Sequence, residues 1–289
     1  MFARLIGLPF ALAIIVLLYL SWEVHEGYAP YIIPFVLISA ILYIFSPQIN
    51  WWYYSKYPPE IDAPLRRILL DPQVFYQNLV PAEQKRFRNR MAMFIMGNEF
   101  MPQSMEDVPE DIKGIIAMNA ARLCFGLPKL LLPKFEKFVI CPSWFPSPQH
   151  PDRFHTSEIF EEDEVILYSA EHLMHSTLQA KQGFNIALYE LAKAFVVSYP
   201  EFSYRAFGKE MWKEIETIGG KNQEFIEKYI NLENLDLHAI LAVLFFEHSL
   251  AFKNTLPTDY EYFVNLFQQD PLNATNPAIQ AAEIIKKVL

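Results

Sequence analysis

The sequence is poor in cysteine, in glycine and in basic charge. Its 289 residues hold two cysteines, Cys124 and Cys141, too few for a disulfide-rich secreted scaffold. Nine glycines against 21 prolines exclude collagen-like and glycine-rich linker architectures. Lysine and arginine number 24 against 33 aspartates and glutamates, a formal charge of −9. A nucleic-acid binder working by bulk charge needs the opposite balance, so none is expected. There is no Walker A loop, dinucleotide fingerprint or Ser-His-Asp order, and no internal repeat or low-complexity segment. Apolar residues, by contrast, make up 52% and aromatics 15%, which excludes a disordered chain.

Charge is scarcest at the N-terminus, where Arg4, Glu23 and Glu26 are the only charged residues before Lys56. Leu5 to Trp22 reads LIGLPFALAIIVLLYLSW, and a second uncharged stretch has its apolar core near Tyr31–Phe45. Each approaches the roughly 20 residues a helix needs to cross a bilayer. The short link Glu23-Val24-His25-Glu26-Gly27 between them predicts a transmembrane hairpin over residues 1–55, with spans at about 5–22 and 29–48. Trp22, Tyr28, Tyr31 and Trp51-Trp52-Tyr53-Tyr54 lie at the ends, where interfacial aromatics belong. A signal peptide fits less well, because SWEVHEG supplies no small-x-small cleavage site. The link holds two acids and no lysine or arginine. Arg4 precedes the first span, and Lys56, Arg66 and Arg67 follow the second. The positive-inside rule then predicts both termini in the cytoplasm, which suits two unpaired cysteines.

Tyr57-Pro58-Pro59-Glu60 reads as part of a linker over residues 56–64, and residues 65–289 as one domain. Without Arg4, Glu23 and Glu26 the remainder keeps 23 basic and 31 acidic residues. Hydrophobic periodicity predicts helices over Pro81 to about Met96, Asp107–Phe125, Gly183–Ser198, Gln223–Ile230, Leu235–Phe252, Tyr260–Gln269 and Pro277–Leu289. In the second of these Ile112, Ile115, Ile116 and Leu123 share a face, and Gly126 reads as its stop. Phe135–Cys141 and Glu164–Ser169 read as strands. The expected class is α+β, mostly helical with a small sheet. The acidic run Glu161–Glu164 reads as a solvated loop, since it lacks the glycine of a calcium loop. Cys124 and Cys141 read as buried small hydrophobes, and His238 and His248 as helix-surface or core residues.

The stretch Gly183-Phe184-Asn185-Ile186-Ala187-Leu188-Tyr189-Glu190-Leu191-Ala192-Lys193 carries the most chemistry. Zinc peptidases place H-E-x-x-H on a helix, two histidines gripping Zn²⁺ and the glutamate activating its water. The stretch resembles the G-x-N-x-x-L-H-E-x-A-H segment of the Mlc titration factor A family, zinc-dependent peptidases of zincin type. Four further segments resemble family motifs in the same order: Phe75–Phe100 with Leu79, Phe87 and Phe94; Asp111–Gly126; Phe135–Phe145; and Phe245-Phe246-Glu247 with Gln268–Pro271. The resemblance spans roughly residues 65–273 and implies a zincin-like domain.

The departures from the family pattern are specific. By the resemblance, the two ligand histidines fall on Tyr189 and Lys193, and the third ligand, a glutamate, on Val243. Only the general-base position survives, as Glu190. A phenol, an ammonium and an isopropyl group do not hold zinc near neutral pH, so no cofactor is expected and no residue is expected to be catalytically active. Lys193 follows Glu190 by three residues on one helix face, so its ammonium could fill the vacated metal volume and pair with that carboxylate. The alternative leaves Lys193 in solvent and Glu190 an ordinary surface acid. The resemblance thus implies a membrane-anchored pseudopeptidase of the bacterial inner membrane, multi-pass, its domain in the cytoplasm. It would act by binding one or more membrane-associated proteins, as an adaptor or subunit of a membrane complex, with the lipid bilayer meeting residues 5–48. The rival readings are a metallopeptidase with a rebuilt site, His172 and His175 (H-x-x-H) being the candidate ligands, and a purely structural membrane protein whose hairpin is the functional part.

Overall fold

The computed structural model describes residues 2–70, 74–128, 131–179 and 182–273. Its packing divides the chain into two units, Met1–Pro59 and Glu60–Leu289. The helix expected over Pro277–Leu289 lies outside the described residues.

In the first unit α1 (Phe2–Glu23) packs along α2 (Ile32–Ile44), joined by a 3-10 turn at Glu26–Tyr31. The His25 ring opens that turn by accepting from the Gly27 amide at 2.9 Å. Phe2–Glu23 and Glu26–Ile44 are each long and apolar enough to cross a membrane, with mean hydropathies of 2.3 and 1.8. The stretch expected as one span over 29–48 is divided. Its helix stops at Phe45, and α3 (Ser46–Lys56) begins with Pro47 in its first turn. A proline has no N–H to continue the ladder, and its ring crowds the preceding turn. Helix α3 carries the Trp51–Tyr54 run and meets the start of α1. There the Ala3 amide donates to Asn50 Oδ1 at 2.9 Å and Phe2 stacks on Tyr53.

The second unit opens with α4 (Ala63–Leu70), α5 (Val74–Asn78) and α6 (Pro81–Gly97). Strand β1 (Glu99–Pro102) leads to α7 (Glu110–Leu123), then β2 (Lys137–Cys141), β3 (Ser157–Phe160) and β4 (Val165–Ser169). The chain continues through α8 (Ala170–Leu178), α9 (Ile186–Ser198), α10 (Trp212–Gly219) and α11 (Gln223–Ile230). It closes with α12 (Leu237–Glu247), α13 (Ser249–Thr255) and α14 (Pro257–Phe267). The sheet order is β1-β2-β4-β3. Strands β1, β2 and β4 run parallel, and β3 pairs antiparallel with β4 across the Glu161–Glu164 turn. That acidic run is exposed throughout, and the turn closes at Glu164 with a φ of 57°. The architecture is mostly helical α+β, as the sequence predicts.

Helices α9 and α12 are apolar nearly all round and sit inside, and α7 is buried with them from Gly114 onward. Helix α7 packs on α9, α9 packs on α12, and α9 also lies against β3 and β4. Ile112, Ile115, Ile116 and Leu123 are buried as expected, but so is every residue of α7 from Gly114 onward, including Asn119 and Arg122.

The helix expected over Leu235–Phe252 is two, broken at His248 (φ −123°, ψ 39°). Side chains occupy the last carbonyls of α12 there. Ser249 Oγ donates to Phe245 O at 2.7 Å, and the Arg122 guanidinium donates to Phe246 O. A cation on those carbonyls also answers the negative end of the helix dipole.

Gly126 lies after α7 as expected, but not as a left-handed cap; Cys124 holds the cap position with φ −97°. A Cβ at Gly126 would lie 2.1 Å from Gln268 O and 2.4 Å from Phe267 O. The residue is glycine because two backbones touch. Gln269 seals the contact, accepting from the Gly126 amide at 3.1 Å and donating to Arg122 O at 2.8 Å. Gly126→Ala forces two backbones apart. It should cost about 3 kcal/mol, the upper end for overpacking, read as a lower denaturant midpoint of the full chain in detergent.

Candidate functional site

Helix α9 begins at Asn185, whose side chain accepts from the Leu188 amide at 2.9 Å. A short polar side chain at this position satisfies an amide that has no partner within the helix. The same side chain donates to Asn119 Oδ1 at 3.0 Å and to Glu247 Oε1 at 2.7 Å. One asparagine thus pins the start of α9 to α7 and to the end of α12. The asparagine of the G-x-N pattern acts here as a structural clamp.

One turn on, α9 presents Tyr189, Glu190 and Lys193. Glu190 has no exposed surface. Its Oε2 accepts from Lys193 Nζ at 2.8 Å, and its Oε1 accepts from Ser157 Oγ at 2.9 Å. A buried carboxylate is tolerated when both oxygens are engaged and its charge is matched. The Lys193 side chain is 26% exposed, so its stem reaches water while its tip turns inward. Glu190 is not a surface acid, and the ion pair anticipated from the three-residue spacing is present. The ammonium also stands 5.2 Å from the centroid of the Tyr189 ring, within cation–π range.

Tyr189 is itself buried, and its hydroxyl accepts from the Asp236 amide at 3.0 Å. Burial pushes its phenol well above the ordinary value of 10, and the neighbouring Glu190 charge pushes the same way. The phenol is therefore a neutral hydroxyl at physiological pH. Tyr168 behaves alike, raised by burial and then by Glu190, and donates to Ala187 O at 3.0 Å. Val243 lies on α12 with 1% exposure, an apolar side chain in an apolar core.

As a zinc site the set does not fit. The protonated phenol already holds an amide, the ammonium is a cation, and valine has no lone pair. His172 and His175 are each engaged. His172 Nδ1 lies 2.8 Å from Ser169 Oγ, and His175 Nδ1 lies 3.2 Å from the Tyr229 hydroxyl. Among the described residues no three His, Cys, Asp or Glu side chains are grouped to hold a metal ion. Cys124 and Cys141 are free and buried, and burial raises their thiols to about 12 and about 11. Neither is a thiolate nucleophile at neutral pH. His238 and His248 are partly buried on and beside α12.

Ser157 was not foreseen. It stands first in β3, and in sequence it is an unremarked serine before a glutamate. Only the antiparallel turn back from β4 lays it over α9. The next residue, Glu158, points to other partners: its Oε2 lies 3.1 Å from His155 Nε2 and its Oε1 lies 3.8 Å from His150 Nε2. Burial favours its protonated form. Hydrogen bonds from His155 and Ser147 and the nearby imidazoles outweigh that and hold the carboxyl below the usual value.

A small mixed sheet over a buried helix, in a mostly helical unit, defines the class: a zincin-like domain. The chain belongs to the glucose-regulated metallo-peptidase M90 family, whose model matches residues 50–268. No curated protein matches it.

Proposed function

We propose that this chain is a membrane-anchored member of the family in which hydrolysis has been replaced by protein binding. The observation that carries the reading is the 2.8 Å contact between Lys193 Nζ and Glu190 Oε2. In a working zinc peptidase the glutamate must be free to take a proton from metal-bound water. Here both oxygens are occupied by fixed donors, and the three ligand positions given by the resemblance carry no zinc ligand. The pocket is built as a salt bridge, and no catalytic step is assigned to it.

The two apolar helices of the first unit support anchorage in a membrane. In this reading they cross it as a hairpin. The acid-only link faces away from the cytoplasm, and the larger unit stays in the cytoplasm of a bacterial cell. There it serves as an adaptor or subunit of a membrane complex, and its partner is a protein held at the same membrane.

Two measurements on the protein from native membranes test this. Metal analysis should find zinc well below one per chain. Co-purification with mass spectrometry should find a partner in constant ratio. Stoichiometric zinc, whether or not it disappears in the His172→Ala/His175→Ala pair, defeats the reading, as does a chain that travels alone.

A further inference from the structure

The second unit holds an open cleft of about 470 Å³ that Glu190 does not line. Its lining includes Arg205, Phe207, Lys209, Trp212, Glu227 and His238. That volume lies in the range of small-ligand pockets. Two aromatic side chains give it an apolar wall, and its charges are of both signs.

The charged groups come from different elements. Arg205 and Lys209 belong to the segment before α10, and Glu227 belongs to α11. Arg205 also pairs with Asp259. Lys209 makes no ion pair among the described residues, so the two signs have not closed on each other across the cleft. Glu227 is held in place by Gln223 Nε2, which donates to its Oε1 at 2.8 Å. Asp236, also in the lining, is committed to capping α12 through the Ala239 amide at 3.0 Å.

His238 adds an unfilled group. The Tyr262 hydroxyl accepts from the Arg205 amide at 3.1 Å and lies 2.9 Å from His238 Nε2. A phenol that donates to Nε2 leaves the imidazole's own proton on Nδ1. Burial lowers the pKa of His238, its largest influence, and raises that of Tyr262, which keeps both neutral as this arrangement requires. Nδ1 is buried and has no hydrogen-bond partner. The ring is held among Tyr204, Phe207, Tyr262 and Phe263, so this side of the cleft is a fixed wall.

The geometry points to a site for a small aromatic zwitterion, its carboxylate on Lys209, its ammonium on Glu227, and its ring against Phe207 and Trp212. A ligand with no net charge also escapes the long-range repulsion that a chain of charge −9 exerts on a simple anion. The site goes beyond the protein-binding reading above and does not rest on it. Zinc content and ligand binding are read separately, so either can fail alone.

Calorimetric titration of the full chain in detergent micelles tests it with three probes of one skeleton. L-Phenylalanine carries both charges, hydrocinnamate lacks the ammonium, and phenethylamine lacks the carboxylate. Phenylalanine should bind saturably, and each singly charged probe at least about tenfold more weakly. Lys209→Gln should erase the preference over phenethylamine and keep the preference over hydrocinnamate. Glu227→Gln should do the reverse. Both side chains line the open cleft, so these variants keep the fold, checked by circular dichroism. Absence of saturable binding overturns the assignment. So do equal affinities for the three probes, or preferences that both variants leave unchanged.

Discussion

Lys193→Met should destabilise the Glu60–Leu289 unit by about 3 kcal/mol, the lower end of the range for breaking a buried ion pair. The lower end applies because the lysine side chain keeps 26% of its surface in water. The cost arises from what remains. Glu190 stays fully buried with Ser157 as its one side-chain hydrogen-bond donor, and a hydroxyl does not balance a full charge. Adding Glu190→Gln to Lys193→Met should recover most of the loss, since an amide needs no counter-ion there. Denaturant unfolding of the full chain in detergent, run on both single variants and the double, gives the coupling directly. A Lys193→Met midpoint equal to that of the parent would mean that the pair is incidental to the fold.

The second large effect is a gain. Tyr189→His, Lys193→His and Val243→Glu together would place on α9 and α12 the ligand types that the family resemblance implies. The triple variant should take up about one zinc per chain, where the parent takes up far less. Its stability should also become metal-dependent. Without zinc it carries a new carboxylate in the apolar core and has lost the lysine that balanced Glu190, so chelators should unfold it where they leave the parent intact. Metal analysis and thermal melts with and without chelator read both effects. A triple variant that folds but holds no zinc would show that Tyr189, Lys193 and Val243 are not the corresponding positions, and the argument for a lost site would go with them.

Periodicity carried much of this fold and little of its joints. Helices α6, α9 and α11 were legible because their apolar spacing is regular, and α6 also because Pro81 marks its start. Strands β2 and β4 were legible because they are rich in β-branched and aromatic residues. The four-residue strands were not. β1 ends in a proline and pairs with β2 far along the chain, and β3 begins with a serine and a glutamate that carry no strand signal. The break at His248 was hidden for a similar reason, since it follows from Arg122 reaching Phe246 from another helix. At the site, the pairing of Glu190 with Lys193 was legible because three residues along a helix bring two side chains together. The contributions of Ser157 and the Asp236 amide were not, because each is placed by tertiary contact. Gly126 was noticed and misread. Sequence marks a glycine after a helix, but only the packed structure reveals the second backbone lying against it.

The triad of Ser157, Glu190 and Lys193 also bears on ancestry. Lys193→His alone strips the buried acid of its counter-charge, and Val243→Glu alone sets an unpaired acid among hydrocarbons. Each solitary step back toward a metal ligand is penalised before any metal can reward it. On the proposed reading, single substitutions therefore do not lead back to a metal site, and the three positions would have to change together.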